Sequence, residues 1–200
     1  MTGIILAGGE SRRMGREKSL LDFKGRPLVA HMLELCAGLF EQTVIVTNKP
    51  DHYRSYGAEL VSDVFDIRGP LTGIYSGLLK SRSEYSFVAA CDMPFLNPRL
   101  IAYMGAAAQG YDAVVPRYQG YLEPLHAVYH RGLLPAIESR LRKGDRRIRS
   151  MFDDLAVRYL AEEEIDRFDP LRRSFRNLNT PEEYKEAVCS DWECRNSSLS

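Results

Sequence analysis

Neither sign of charge predominates: 27 Lys and Arg side chains balance 27 Asp and Glu in 200 residues. Without a net field, long-range attraction to nucleic acid or to a membrane surface is excluded, and anion binding has to come from local arrangements of charge. Long apolar runs are missing as well. No stretch approaches the roughly 20 residues needed to cross a bilayer. The apolar start, MTGIILAGGE, lacks a basic leader and is interrupted at once by glycine, unlike a secretory signal. Cysteine is scarce. Cys36, Cys91, Cys189 and Cys194 form neither a metal-ligand pattern nor a secreted disulfide framework, and no His cluster accompanies the close pair in the tail. Cys91, in an apolar run, reads as a small buried hydrophobe. These gaps imply a soluble protein of the reducing cytoplasm, with neither nucleic acid nor membrane as partner.

What is present suffices for a core. Apolar residues make up 44% of the chain, enough to fold one α/β domain without disulfide staples. The absence of repeats, linkers and low-complexity tracts sets one domain over 1–188, with 189–200 a polar, flexible tail. Short β-branched runs alternate with amphipathic stretches, the pattern of a mostly parallel sheet covered by helices. Strands are predicted at Gly3–Ala7, Thr43–Thr47, Glu59–Ser62, Tyr85–Ala90, Ala113–Val115, Leu125–Tyr129 and Val157–Leu160. Tyr85–Ala90 is nearly all apolar and therefore central, buried on both faces. Helices are predicted at Leu28–Phe40, Ile74–Ser81, Asn97–Ala108 and Gly132–Leu141. A last helix starts at Thr180, where Thr180, Pro181 and Glu183 supply an N-cap, a proline at N1 and a capping-box acid.

The segment Leu6-Ala7-Gly8-Gly9-Glu10-Ser11-Arg12-Arg13-Met14-Gly15-Arg16-Glu17-Lys18 follows the first strand directly, where α/β sheets place ligand loops. Gly8 and Gly9 let the backbone bend and bring N–H groups to a phosphate. Arg13 and Lys18 can neutralise it, one through a planar fork and the other as a mobile point charge. A Walker loop is excluded because Glu17, not Gly, precedes Lys18; a dinucleotide fingerprint is excluded because the glycines are adjacent. A surface turn with incidental charges would not explain glycines, Ser11, Arg13 and Lys18 crowded together after an apolar strand.

This segment is similar to the signature of nucleotidyltransferases with a three-layer αβα, Rossmann-like and GT-A-like fold, most closely the molybdenum cofactor guanylyltransferases. The resemblance implies that Leu6, Ala7, Gly8, Gly9 and Lys18 hold the nucleotide. Ala90-Cys91-Asp92-Met93-Pro94 ends the central strand. Asp92 is a hard carboxylate suited to Mg²⁺, and the resemblance makes it the metal ligand at the GTP phosphates; alone, it could equally end a strand before Pro94. Asp63 resembles a further nucleotide-contacting aspartate, with Asp66 as the alternative register. Asn48 fits another contact, with Thr47 as its alternative and a plain turn before Pro50 as the bland reading. Gly69-Pro70-Leu71-Thr72-Gly73 resembles the family's segment beside the base, so Gly69, Pro70, Leu71 and Gly73 join the expected nucleotide contacts.

The second half resembles the acceptor side. Glu123 to Tyr129 is similar to a family strand, in which His126 either touches the acceptor or is a satisfied strand-edge histidine. From Arg131 to Arg149 seven basic residues face only Glu138 and Asp145, usually a solvated helix face. Within it, Arg146 and Arg147 lie in a family-like segment and could meet the acceptor's terminal phosphate. Phe175-Arg176-Asn177-Leu178-Asn179-Thr180-Pro181 matches the family's closing signature and implies pterin contacts from Asn177 and Asn179. The resemblance covers Leu6 to about Tyr184. It implies Mg²⁺-dependent transfer of GMP from GTP to molybdopterin, catalysed through Arg13, Lys18 and Asp92. Other cofactor-biosynthesis proteins and apo-molybdoenzymes are the partners it suggests. The alternatives are a related enzyme using CTP or a sugar or alcohol phosphate, and a non-catalytic nucleotide- or cofactor-binding module.

Overall fold

A computed structural model describes residues 1–8, 17–180 and 182–187. In chain order the first half contains β1 (Thr2–Leu6), a small hairpin of β2 (Asp22–Phe23) and β3 (Arg26–Pro27), α1 (Leu28–Ala37), β4 (Gln42–Val46), β5 (Glu59–Val61) and α2 (Pro70–Lys80). The second half contains β6 (Tyr85–Ala90), α3 (Pro98–Ala106), β7 (Ala113–Tyr118), β8 (Tyr121–Leu122), β9 (His126–His130), α4 (Leu134–Arg142), β10 (Val157–Leu160) and α5 (Glu162–Asp166). Residues 182–187 are helical.

The main sheet runs β10-β7-β9-β6-β1-β4-β5, with β8 paired to β7. β9 is antiparallel to β6 and β7, while β1, β4, β5 and β6 pair in parallel, as do β7 and β10. Leu6 stands opposite Val46 on one side and Ala90 on the other. Parallel strands in this register all end on one edge, and the chain leaving that edge carries Gly8, Asn48, Asp63 and Asp92.

Side chains alternate across the sheet, as the two-residue period of a strand requires. Ile4 and Leu6 of β1 pack with Leu71, Ile74 and Leu78 of α2 and with Ile137 and Leu141 of α4. Ile5 turns the other way, towards Val29 and Met32 of α1 and Leu100 and Met104 of α3. Helices therefore cover both faces, giving the three-layer αβα architecture expected from the sequence. Each of these fully buried aliphatic side chains contributes roughly 1.5–3 kcal/mol. Gly73 and Gly77, one turn apart on α2, let that helix lie close to β1. A Cβ on Gly77 would come within 2.5 Å of Ile4 Cγ2, and one on Gly73 within 3.2 Å of Leu6 Cδ2.

Element ends depart from the sequence expectation for local reasons. α2 begins at Pro70, a turn before Ile74, because proline suits a first helical position that needs no N–H; Thr72 Oγ1 also donates to the Ile67 carbonyl at 2.7 Å. α1 stops at Ala37 before Gly38, short of Phe40. α3 spans Pro98–Ala106, with Asn97 accepting from the N–H groups of Arg99 and Leu100. Gly132 and Leu133 lie in a 3₁₀ turn, so α4 starts at Leu134. β7 runs past Val115 to Tyr118, and β9 starts at His126. Gln119 and Gly120, both at positive φ, turn β7 into β8, the two-residue hairpin geometry. Among the described residues no helix is long and apolar enough to cross a membrane.

Candidate active site at the carboxyl edge of the sheet

β1 exhausts its own polar backbone at this edge: Ala7 N–H donates to Val46 O at 2.9 Å, and Leu6 O accepts from Cys91 N–H at 3.1 Å. Leu6 and Ala7 are buried, whereas Gly8 is exposed, and no described residue outside its chain neighbours lies within 4 Å of where a Cβ would stand. The expected contacts Gly9 and Arg13 lie outside the described residues, as does Ser11.

Lys18 opens a short 3₁₀ turn at the far end of the loop. Its Nζ lies 3.3 Å from Asp92 Oδ2 and donates to Asn179 Oδ1 at 2.7 Å. Three residues spread over 161 positions thus converge on one point. The local structure explains why. Asp92 follows β6, the neighbour of β1, and its carbonyl accepts from Leu178 N–H at 2.9 Å, drawing the C-terminal segment across the edge. Glu183 then accepts from Asn179 N–H at 2.6 Å and from Thr180 N–H at 3.0 Å, while Thr180 Oγ1 accepts from Glu183 N–H at 3.2 Å. The capping box read from sequence therefore also sets Asn179 beside Lys18. Asn177 is exposed on the same segment.

A second cluster follows β4 and β5. Asn48 Nδ2 donates to Asp63 Oδ2 at 2.8 Å, and Asp63 N–H donates to Asn48 Oδ1 at 2.9 Å. Asp63 Oδ1 is buried without a partner among the described residues. Burial raises the carboxyl pKa, and the Asn48 hydrogen bond only partly offsets this. The alternative residues are placed differently: Asp66 is exposed, and Thr47 is buried with its Oγ1 accepting from Lys49 N–H.

The Gly69 to Gly73 segment divides. Leu71 and Gly73 face inward, Leu71 in the core and Gly73 against Leu6, so their side-chain positions serve the packing of α2 rather than an open surface. Gly69 and Pro70 remain at the edge, where a Cβ on Gly69 would lie 3.7 Å from Arg146 Cβ. Pro70 borders an open cavity of about 620 Å³ together with Pro124, Arg146, Arg147, Arg149 and Ser150. The sequence around Arg146 folds so because Asp145 gathers its neighbours. It accepts from Arg147 Nε at 3.0 Å and from Arg147 N–H at 3.1 Å, and pairs with Arg140 at 3.3 Å. The Arg147 hydrogen bonds hold the Asp145 carboxyl at about 2. No acid pairs with Arg146 among the described residues. Of the four residues expected on the acceptor side, Arg146 and Arg147 line this cavity, Asn179 meets Lys18, and Asn177 is exposed on the segment leading to Asn179.

His126 departs from both of its sequence readings. It is fully buried, with its ring 5.0 Å from that of Phe87 and 4.9 Å from that of Phe175, and neither nitrogen has a partner among the described residues. Burial drives its pKa down to about 3, partly offset by Asp169. It faces the core because β9 alternates, and position 126 falls on the α1–α3 side. Two residues at this edge escaped the sequence reading. Glu123 is a half-buried carboxylate raised by burial and steadied by Arg149. Tyr53 is a fully buried phenol. Polarity before a strand hints at the first, and nothing local marks the second.

Among the described residues no group of three or more His, Cys, Asp or Glu could hold a metal ion. A single carboxylate is nevertheless the donor set Mg²⁺ takes when phosphate oxygens and water complete its shell. Asp92 fits that role, since its Oδ1 has no protein hydrogen-bond partner among the described residues.

A family model for the MobA-like NTP transferase domain matches residues 3–161. A molybdenum cofactor guanylyltransferase of Desulfosudis oleivorans is 40% identical over 189 residues, covering 94% of this chain and 94% of that protein. Another, from Syntrophotalea carbinolica, is 38% identical over 187 residues, covering 92% and 89%. The crystal structure of molybdopterin-guanine dinucleotide biosynthesis protein A from Archaeoglobus fulgidus superimposes with a TM-score of 0.84 at 32% identity, covering 96% of this chain and 100% of that one. The chain belongs to the MobA-like NTP transferase family and is a nucleotidyltransferase.

Proposed function

We propose that the enzyme transfers GMP from GTP to the terminal phosphate of molybdopterin, with Mg²⁺, releasing pyrophosphate. The observation that carries this reading is the convergence of Lys18, Asp92 and Asn179 at the end of β1 and β6. The names of the similar proteins supply the nucleotide and the acceptor.

An oxygen of the acceptor phosphate attacks the α-phosphorus in line, and the bond from that phosphorus to the β-phosphate bridge breaks. The nucleophile is already an anion, so no general base is needed. The task is alignment and relief of repulsion between two anions. The backbone of Gly8 and Gly9 cradles the phosphates, and Lys18 with Arg13 offsets their charge. Asp92 would hold Mg²⁺, which would supply further charge neutralisation at the triphosphate. Asp63, oriented by Asn48, and the Gly69–Pro70 backbone are assigned to the guanine base. Arg146 and Arg147, lining the cavity beside Pro70, are assigned to the acceptor substrate, and Asn177 and Asn179 to its pterin.

The test is pyrophosphate release with Mg²⁺ and molybdopterin, comparing GTP, CTP and ATP for the native enzyme and Asp92→Ala. GTP-dependent release, reduced on the order of 10²-fold in the variant, is expected. A CTP preference would overturn the base assignment. No turnover on any nucleotide would favour a binding module.

A further inference from the structure

The chain after Asn48 reaches back to both stems of the glycine loop. The Tyr53 hydroxyl lies 2.6 Å from Ser19 Oγ and donates to the Ala7 carbonyl at 3.5 Å. Ala7 precedes the loop and Ser19 follows Lys18, so one buried phenol joins the loop's entrance to its exit. Burial pushes this phenol up to about 12, still further from ionisation than an exposed tyrosine.

The same segment seizes the residue before Lys18. Lys49 Nζ lies 2.7 Å from Glu17 Oε1, and His52 Nδ1 lies 2.6 Å from Glu17 Oε2. Burial alone would raise the Glu17 carboxyl, but hydrogen bonds from Lys49 and His52 outweigh it and hold the group below the usual range. Glu17 is mostly shielded, whereas Lys49 and His52 are about half exposed. An acid next to the phosphate-binding lysine is otherwise a liability. Freed, it would compete for Lys18 and repel a triphosphate.

We infer that residues 49–53 form a clamp with two jobs: Tyr53 sets the spacing of the loop stems, and Lys49 with His52 holds Glu17 away from the nucleotide phosphates. Lys49, His52 and Tyr53 are positioning residues, acting through the loop. The clamp also joins the loop to the Asn48–Asp63 pair, whose Asn48 directly precedes Lys49. The inference rests on reading Gly8 to Lys18 as the triphosphate loop.

GTP binding by calorimetry with Mg²⁺, together with KM for each substrate, tests it. The native enzyme is measured first; failure to bind GTP would overturn the loop reading and the clamp with it. Where the native enzyme binds, K49Q/H52Q is expected to weaken GTP binding about tenfold. Adding E17Q to that pair is expected to restore affinity to within about twofold, since the acid to be held is gone. Y53F, which keeps the ring, should raise KM for GTP and leave KM for the acceptor unchanged. A clamp that merely stabilised the fold would lower Tm and show no rescue by E17Q. Unchanged GTP affinity in K49Q/H52Q, or weakened affinity that E17Q fails to restore, would overturn the proposal.

Discussion

His126 makes stability, rather than catalysis, respond to mild acid. Its pKa is near 3 in the folded protein against 6.5 for an exposed imidazole. Between those values the unfolded chain binds a proton that the native state refuses, so stability rises with pH through this window and falls as pH drops below 6.5. The slope is about 1.4 kcal/mol per pH unit. Moving from pH 7.5 to pH 5.0 should therefore remove about 2 kcal/mol through this side chain alone. Other groups titrate too. Glu17, Asp145 and Asp166 are held below their ordinary values by basic partners, and they destabilise the fold further in acid. The comparison is therefore with His126→Leu, which fills a similar volume and does not titrate. Urea unfolding at pH 7.5, 6.0 and 5.0 should show the difference in stability between native enzyme and variant changing by about 2 kcal/mol in the variant's favour. Parallel pH profiles for the two proteins would refute the argument and mean that the imidazole finds a proton acceptor or water in the folded state.

Asp63→Asn should spare folding and reduce discrimination of GTP from other nucleotides by about tenfold or more, because it replaces one carboxylate acceptor with an N–H donor; competition assays against CTP and ATP would check it. Gly77→Ala would drive a Cβ to 2.5 Å from the buried Ile4. The overpacking, about 1–3 kcal/mol, exceeds the helix-propensity gain of about 1 kcal/mol, and calorimetry should show a lowered Tm. Arg146→Ala should raise KM for the acceptor severalfold while leaving GTP affinity intact, as measured by steady-state kinetics alongside nucleotide titration.

The placement of much of the candidate site was legible because its parts sit at strand ends. A glycine-rich turn after an apolar strand, and an acid after another, advertise themselves when the strands are parallel and neighbouring. The GPLTG segment was read less well. Glycine is needed both where backbone meets ligand and where helix meets strand, and Gly73 turned out to serve the second need. His126 failed for a related reason, since a polar residue at a strand's start does not announce which face it takes. Short elements such as the β2–β3 hairpin and α5 carry too few residues for a periodic signal.

By itself the sequence determined the alternation of strands and helices, the loop after β1, the acid after β6 and the capping box at Thr180, all of which depend on neighbours within a few positions. Tertiary structure alone decided the rest. Asn179 meets Lys18, Asn48 orients Asp63, and Tyr53 joins Ala7 to Ser19 only because parallel register brings distant strand ends to one edge. Contacts between residues tens to well over a hundred positions apart leave no local periodicity, and only the closed sheet creates them.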